Sequence, residues 1–253
     1  FLMKNKYFIY SISIIVFLII WEIIGKTVNN TTIFPSVFII IKNIKEIITS
    51  PYFYISIKET FIRIIEAFLI SLVTAVILGI ITVNSKFYYT FISPYMSFIR
   101  YAPIIAMIVL ILIWFPKETA PVIIGVMISF PIFYDNIINS IKNLNTDLKS
   151  LIKVFHINKL NSIIHIYLPT IVFSIINTIS SVFGLIIKTV IAGEIYSQPK
   201  YGIGSQILYE KMSLNTSAVI SWIIIIIFLS FLLDLIFRYI QNRLLFWRYK
   251  NED

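Results

Sequence analysis

Long apolar runs separated by short polar stretches make up most of this chain. Six runs are long enough to cross a hydrocarbon core of about 30 Å, at roughly 7–25, 57–83, 88–115, 118–141, 164–195 and 215–245. The pattern predicts an all-α fold, a polytopic membrane helical bundle with about six transmembrane helices. The first run follows Lys4 and Lys6 and has Trp21 and Glu22 where a leader peptide would carry a small-residue cleavage site, so it reads as a retained helix. The chain opens Phe1-Leu2-Met3, and Met3 is expected as its natural start.

Two connections are too long to be simple turns. In 34–49, Val37, Ile40, Ile41, Ile44 and Ile48 recur at helical spacing with Lys42, Lys45 and Glu46 opposite them. This predicts an amphipathic helix at the outer interface, packed on the bundle or, less simply, touching the solute. The second connection, 143–169, divides into two short amphipathic pieces, Asp147 to Phe155 and Lys159 to His165, around His156, Ile157 and Asn158. Leu148, Leu151, Ile152 and Phe155 share an apolar face beside Lys149 and Lys153. Such a face either packs on its own bundle or meets a protein partner.

Composition narrows the function classes. A 253-residue chain that is 58% hydrophobic and 13% charged, with mean hydropathy +0.91, is not a soluble domain. Zero cysteines exclude a disulfide scaffold and a thiolate metal centre, and two histidines, His156 and His165, leave little for any metal site. The formal charge of +9 is spread along the chain and separated by lipid-like stretches, which points to membrane lipid and away from nucleic acid. With the N-terminus inside, eleven basic residues from Lys4 to Lys250 fall in inner segments against seven in outer ones, so both termini are predicted to be cytoplasmic.

Charge within a span is costly and marks the bundle interior, a hydrated path or a pair. Glu66, Arg100, Asp135, Lys188, Glu194 and Asp234 meet that test. Arg63 and Glu66, three apart, are expected to satisfy each other, and Asp135 and Asp234 to mark the inner interface. Arg100, Lys188 and Glu194 remain as pathway candidates. Pro94 and Pro103 bracket Arg100, and Pro121 and Pro131 are expected to interrupt the fourth helix. No nucleophile stands beside either histidine, so no catalytic constellation is expected. No G-x-x-x-x-G-K-[ST] loop occurs either, so the chain must borrow any ATP-derived energy.

A resemblance runs from about Phe34 to Trp247. It is carried by Phe34-Pro35-Ser36, Glu59-Thr60-Phe61-Ile62-Arg63, Arg100-Tyr101-Ala102-Pro103-Ile104-Ile105-Ala106, Ile113-Trp114-Phe115 and Phe130-Pro131. Further along it continues through Leu168-Pro169, Ala192-Gly193-Glu194, Tyr201-Gly202-Ile203-Gly204 and Arg243-Leu244-Leu245-Phe246-Trp247-Arg248. In order and spacing these segments resemble the membrane permease of ATP-binding-cassette importers, in the nitrate, sulfonate, taurine and bicarbonate branch that also includes vitamin-precursor systems. The family's Glu-Ala-Ala segment and following Gly would fall on Ser150-Leu151-Ile152 and His156, so that signature is eroded.

The resemblance implies one permease domain over 1–253, with a core bundle over 57–245. It also implies a bacterial plasma (inner) membrane, a second permease copy in a homodimer, two cytoplasmic ATPases that bind ATP and Mg, and an external substrate-binding protein. Leu148, Lys149, Ser150, Leu151, Ile152, Lys153, Phe155 and His156, in a helix-turn-helix over 147–165, are expected to couple the ATPase to the helices. Gly193, Gly202 and Gly204, with Pro199, predict a bent turn and a short re-entrant helix from about Ser205 to Met212 as an outer gate. The alternative from another class is a self-contained secondary transporter or channel relaying ions through Glu66, Lys188 and Glu194.

Overall fold

Apolar runs fold as helices because a helix satisfies every backbone N–H and C=O within one segment, which lipid demands. The computed structural model describes residues 2–28, 30–83, 85–144, 154–155 and 158–249. Among the described residues the regular elements are all helical: α1 (Leu2–Val28), α2 (Val37–Thr49), α3 (Pro51–Val83), α4 (Lys86–Tyr101), α5 (Ile104–Trp114), α6 (Ala120–Lys142), α7 (Lys159–Ser162), α8 (Leu168–Ser197), α9 (Ile203–Met212) and α10 (Thr216–Tyr249). Among the described residues, five helical stretches are long and apolar enough to span a bilayer: Phe8–Val28, Pro51–Thr82, Ala120–Lys142, Leu160–Ser197 and Thr216–Arg243.

The sixth predicted span, 88–115, is not one straight helix. It breaks at Ala102–Pro103 into α4 and α5, which are bent by 103°. Pro103 has no N–H to donate and disfavours helical backbone in the residue before it, and Ala102 is extended at ψ 135°. Pro94, by contrast, is carried inside α4. Pro121 does not interrupt the fourth span as expected; it sits in the first turn of α6, where a missing N–H costs nothing, and α6 continues through Pro131.

The two predicted pieces at 159–165 and 164–195 form one helical run. A π-turn at Ile163–Tyr167 joins α7 to α8 immediately before Pro169. Pro169 cannot donate to the carbonyl four residues back, and the wider turn absorbs that lost bond. His165 lies in this turn, its Nδ1–H donating to the Asn161 carbonyl at 3.1 Å.

The chain divides into two compact units, Phe1–Glu59 with Lys200–Leu229, and Thr60–Pro199 with Ser230–Asp253, so that α3 and α10 contribute to both. In the first unit, Trp21 Nε1–H donates to the Pro35 carbonyl at 3.0 Å and Glu22 Oε2 accepts from the Val37 N–H at 2.9 Å, binding α1 to the start of α2. Gly25 permits the approach, since a Cβ there would lie 2.8 Å from Ser36 Cα. The amphipathic α2 then meets α10, where Ser221 Oγ donates to the Ile40 carbonyl at 3.2 Å and Asn43 bonds Ser217.

The second unit is built on close packing among α3, α6 and α8. A Cβ on Gly125 would come within 2.8 Å of Ala67 Cβ and 2.9 Å of Val190 Cγ2, so the three helices approach at one glycine. Phe68 of α3 sits edge-on to Phe133 of α6 at 5.7 Å and to Phe183 of α8 at 5.6 Å. Phe183 in turn meets Phe237 of α10 at 4.5 Å. Ala67, Phe133, Ile137, Ile186 and Val190 have no exposed surface.

Candidate functional site

Charge concentrates where α3, the α5–α6 turn and α8 converge. Glu194 is fully buried, three residues before the end of α8. Its carboxylate accepts from Thr60 Oγ1 at 2.9 Å and from Arg63 Nη1 at 2.8 Å, both one helical turn apart on α3. The other arm of the guanidinium reaches Glu118 Oε2 at 3.1 Å, on the turn that precedes α6. A buried charge must be paired, and the planar fork of arginine lets one cation serve two carboxylates.

The expected Arg63–Glu66 pair therefore does not form. The two are only three residues apart, but Arg63 lies on the buried stripe of α3 with Thr60, Ile64 and Ala67, while Glu66 lies on the exposed stripe with Ile62, Leu69 and Val73. Thr60 and Glu118 were not legible as partners of Glu194, since nothing local connects positions so distant in the chain.

The other charges are differently placed. Arg100 of α4, two residues before the α4–α5 break, pairs with Asp135 of α6, and both are partly exposed. Asp234 of α10 accepts from Ser180 and, at 2.8 Å, from Arg238 Nε. Lys188 is exposed on α8 and, among the described residues, makes no hydrogen bond or ion pair; it lines a groove of about 640 Å³ between α8 and α10. Among the described residues, no group of three or more His, Asp or Glu side chains is placed to hold a metal ion.

The predicted gate glycines have three different roles. Gly193 is no hinge: it lies inside α8, and a Cβ there would stand 2.9 Å from Pro121 Cα. The left-handed residue that ends α8 is Gln198, at φ 54°, and Gly202 is extended before α9. Gly204 is buried in the first turn of α9, which begins at Ile203 and runs to Met212. The bent turn and short helix are therefore present.

Residues 71–246 match the binding-protein-dependent transport system inner membrane components. The chain belongs to that family. It is 25% identical over 236 residues, 92% of this chain and 85% of the relative, to a Bacillus subtilis protein that bears the name aliphatic sulfonates transport permease protein SsuC. It is 26% identical over 240 residues, 91% of this chain and 88% of the relative, to a Methanocaldococcus jannaschii protein that bears the name ABC transporter permease. The protein is thus a multi-pass membrane permease.

In this permease the predicted coupling segment follows α6. Val154 and Phe155 are exposed at 72% and 69%. Leu148, Lys149, Ser150, Leu151, Ile152, Lys153 and His156 lie outside the described residues.

Proposed function

We propose that the permease is the membrane subunit of an ATP-driven importer, working as a homodimer on two cytoplasmic ATPases and receiving its solute from an external binding protein. It would reside in a bacterial plasma membrane with both termini cytoplasmic, and ATP and Mg would belong to the ATPase. The observation that carries the reading is the pair Val154–Phe155. Two large apolar side chains stand exposed in the connection between α6 and α7, next to the basic 147–153 stretch. Apolar anchors with a charged edge suit a protein cleft.

The solute class proposed is a small organic oxyanion, a sulfonate first, with nitrate and vitamin precursors as broader candidates. The name of the Bacillus subtilis relative supports it, as does the cation Lys188 within a membrane-spanning helix. The ion-relay alternative loses support because Glu194 is fixed by two donors on α3, whereas a relay group must be free to exchange its proton or ion with the next carrier. Purification of the tagged permease in mild detergent tests the reading. An ATPase subunit should accompany it, and ion-driven uptake by the purified chain alone would establish the alternative.

A further inference from the structure

Hydroxyls on membrane helices usually turn back to a carbonyl one turn earlier. Ser71, Thr74, Thr82, Ser129, Thr178 and Ser221 all do so here. Ser181 of α8 and Ser230 of α10 do not, and neither hydroxyl has a hydrogen-bond partner among the described residues. Both line the groove that Lys188 lines. Three donors without acceptors thus share one cavity inside a membrane-spanning region.

The remaining polar groups of the groove cancel. Asp234 is neutralised by Arg238 and bonded by Ser180, which leaves Lys188 as its net charge. Eight residues of α8 separate Ser180 from Lys188, or about 12 Å at 1.5 Å per residue. Phe231 and Phe237 supply apolar wall along that length. At Gly184, midway between them, an added Cβ would meet nothing within 4 Å, so the space beside the helix is open.

We propose that this groove is a binding site for a singly charged oxyanion carrying an apolar tail. Lys188 supplies the charge, Ser181 and Ser230 donate to the oxygens, and the phenylalanines cover the tail. A cation and two hydroxyls match an acceptor-only head group, and an ammonium among apolar side chains gains most from a partner that comes with its own charge. Two sources share that chemistry, an alkyl sulfonate in transit and the phosphodiester head of an anionic lipid. The first rests on the importer reading; the second does not.

The full-length permease in phosphatidylcholine nanodiscs, titrated with ethanesulfonate, provides the test. Wild type should bind ethanesulfonate and not the uncharged ethyl methyl sulfone. Lys188→Gln should weaken binding about tenfold or more, and Lys188→Arg should restore it. Gly184→Leu, which fills the groove without touching the charge, should also abolish it. In discs containing phosphatidylglycerol, native mass spectrometry reads the other source: lipid retained by wild type and lost in Lys188→Gln, without ethanesulfonate binding, makes the lipid head the oxyanion. If neither anion distinguishes wild type from Lys188→Gln, or the sulfone binds as well as the sulfonate, the site does not exist. Failure of the importer reading would look different, with no ATPase retained while sulfonate binding persists.

Discussion

Arg63 on α3 and Glu194 on α8, 131 positions apart in the chain, stand 2.8 Å from each other with the carboxylate fully buried. Together with the reach of Arg63 to Glu118, this ties two long helices to the turn before α6. Removing one partner strands a charge, and the cost is large compared with the attraction itself. Arg63→Ala should therefore destabilise the permease by about 3–5 kcal/mol, read as a lower unfolding midpoint in detergent. Arg63→Met with Glu194→Met should recover most of that loss, since no buried charge is left unpaired.

Glycines on the packed faces should tolerate substitution according to the space measured at each. Gly125→Val places methyls into Ala67 and Val190, and Gly193→Val drives them against the Pro121 backbone. Each should cost about 1–3 kcal/mol by overpacking. Gly184→Ala, which enters open space, should be near neutral or slightly stabilising in the same thermal assay.

The Arg100–Asp135 pair separates a pathway role from a structural one. The side chains are 47% and 36% exposed, so Asp135→Asn should change stability by less than about 1 kcal/mol. If the pair controls the bend between α4 and α5, solute uptake by the reconstituted complex should fall about tenfold or more, and exchanging the charges as Arg100→Asp with Asp135→Arg should restore part of it. Unchanged uptake in Asp135→Asn would remove the pair from the mechanism.

Phe155 carries the coupling prediction. Phe155→Asp puts a charge where an apolar anchor is expected, and it should abolish ATPase retention and uptake while leaving the thermal unfolding of the permease unchanged, because Phe155 is exposed in the chain alone. Leu151→Asp is expected to behave in the same way. Full uptake by both variants would sink the assignment of 147–165 as the coupling element.

The spans, the amphipathic α2 and the short helix after Pro199 were legible from residue order alone. Each depends on a local quantity: the length of an apolar run against bilayer thickness, the spacing of isoleucines in 37–48, or a proline that cannot continue a helix. Pairing across the bundle was not legible. Local spacing sets Arg63 beside Glu66, yet packing turns Arg63 inward to Glu194 and leaves Glu66 on the outer stripe. The same limit hid what each proline does. Pro103 coincides with a 103° bend, Pro121 opens α6 and Pro131 is carried within it. It also hid the groove, because Ser181, Lys188 and Ser230 share one cavity only once α8 lies beside α10. Helix formation follows from nearest-neighbour chemistry and the solvent. Which face of each helix turns inward depends on contacts between positions distant in the chain, and those exist only in the folded bundle.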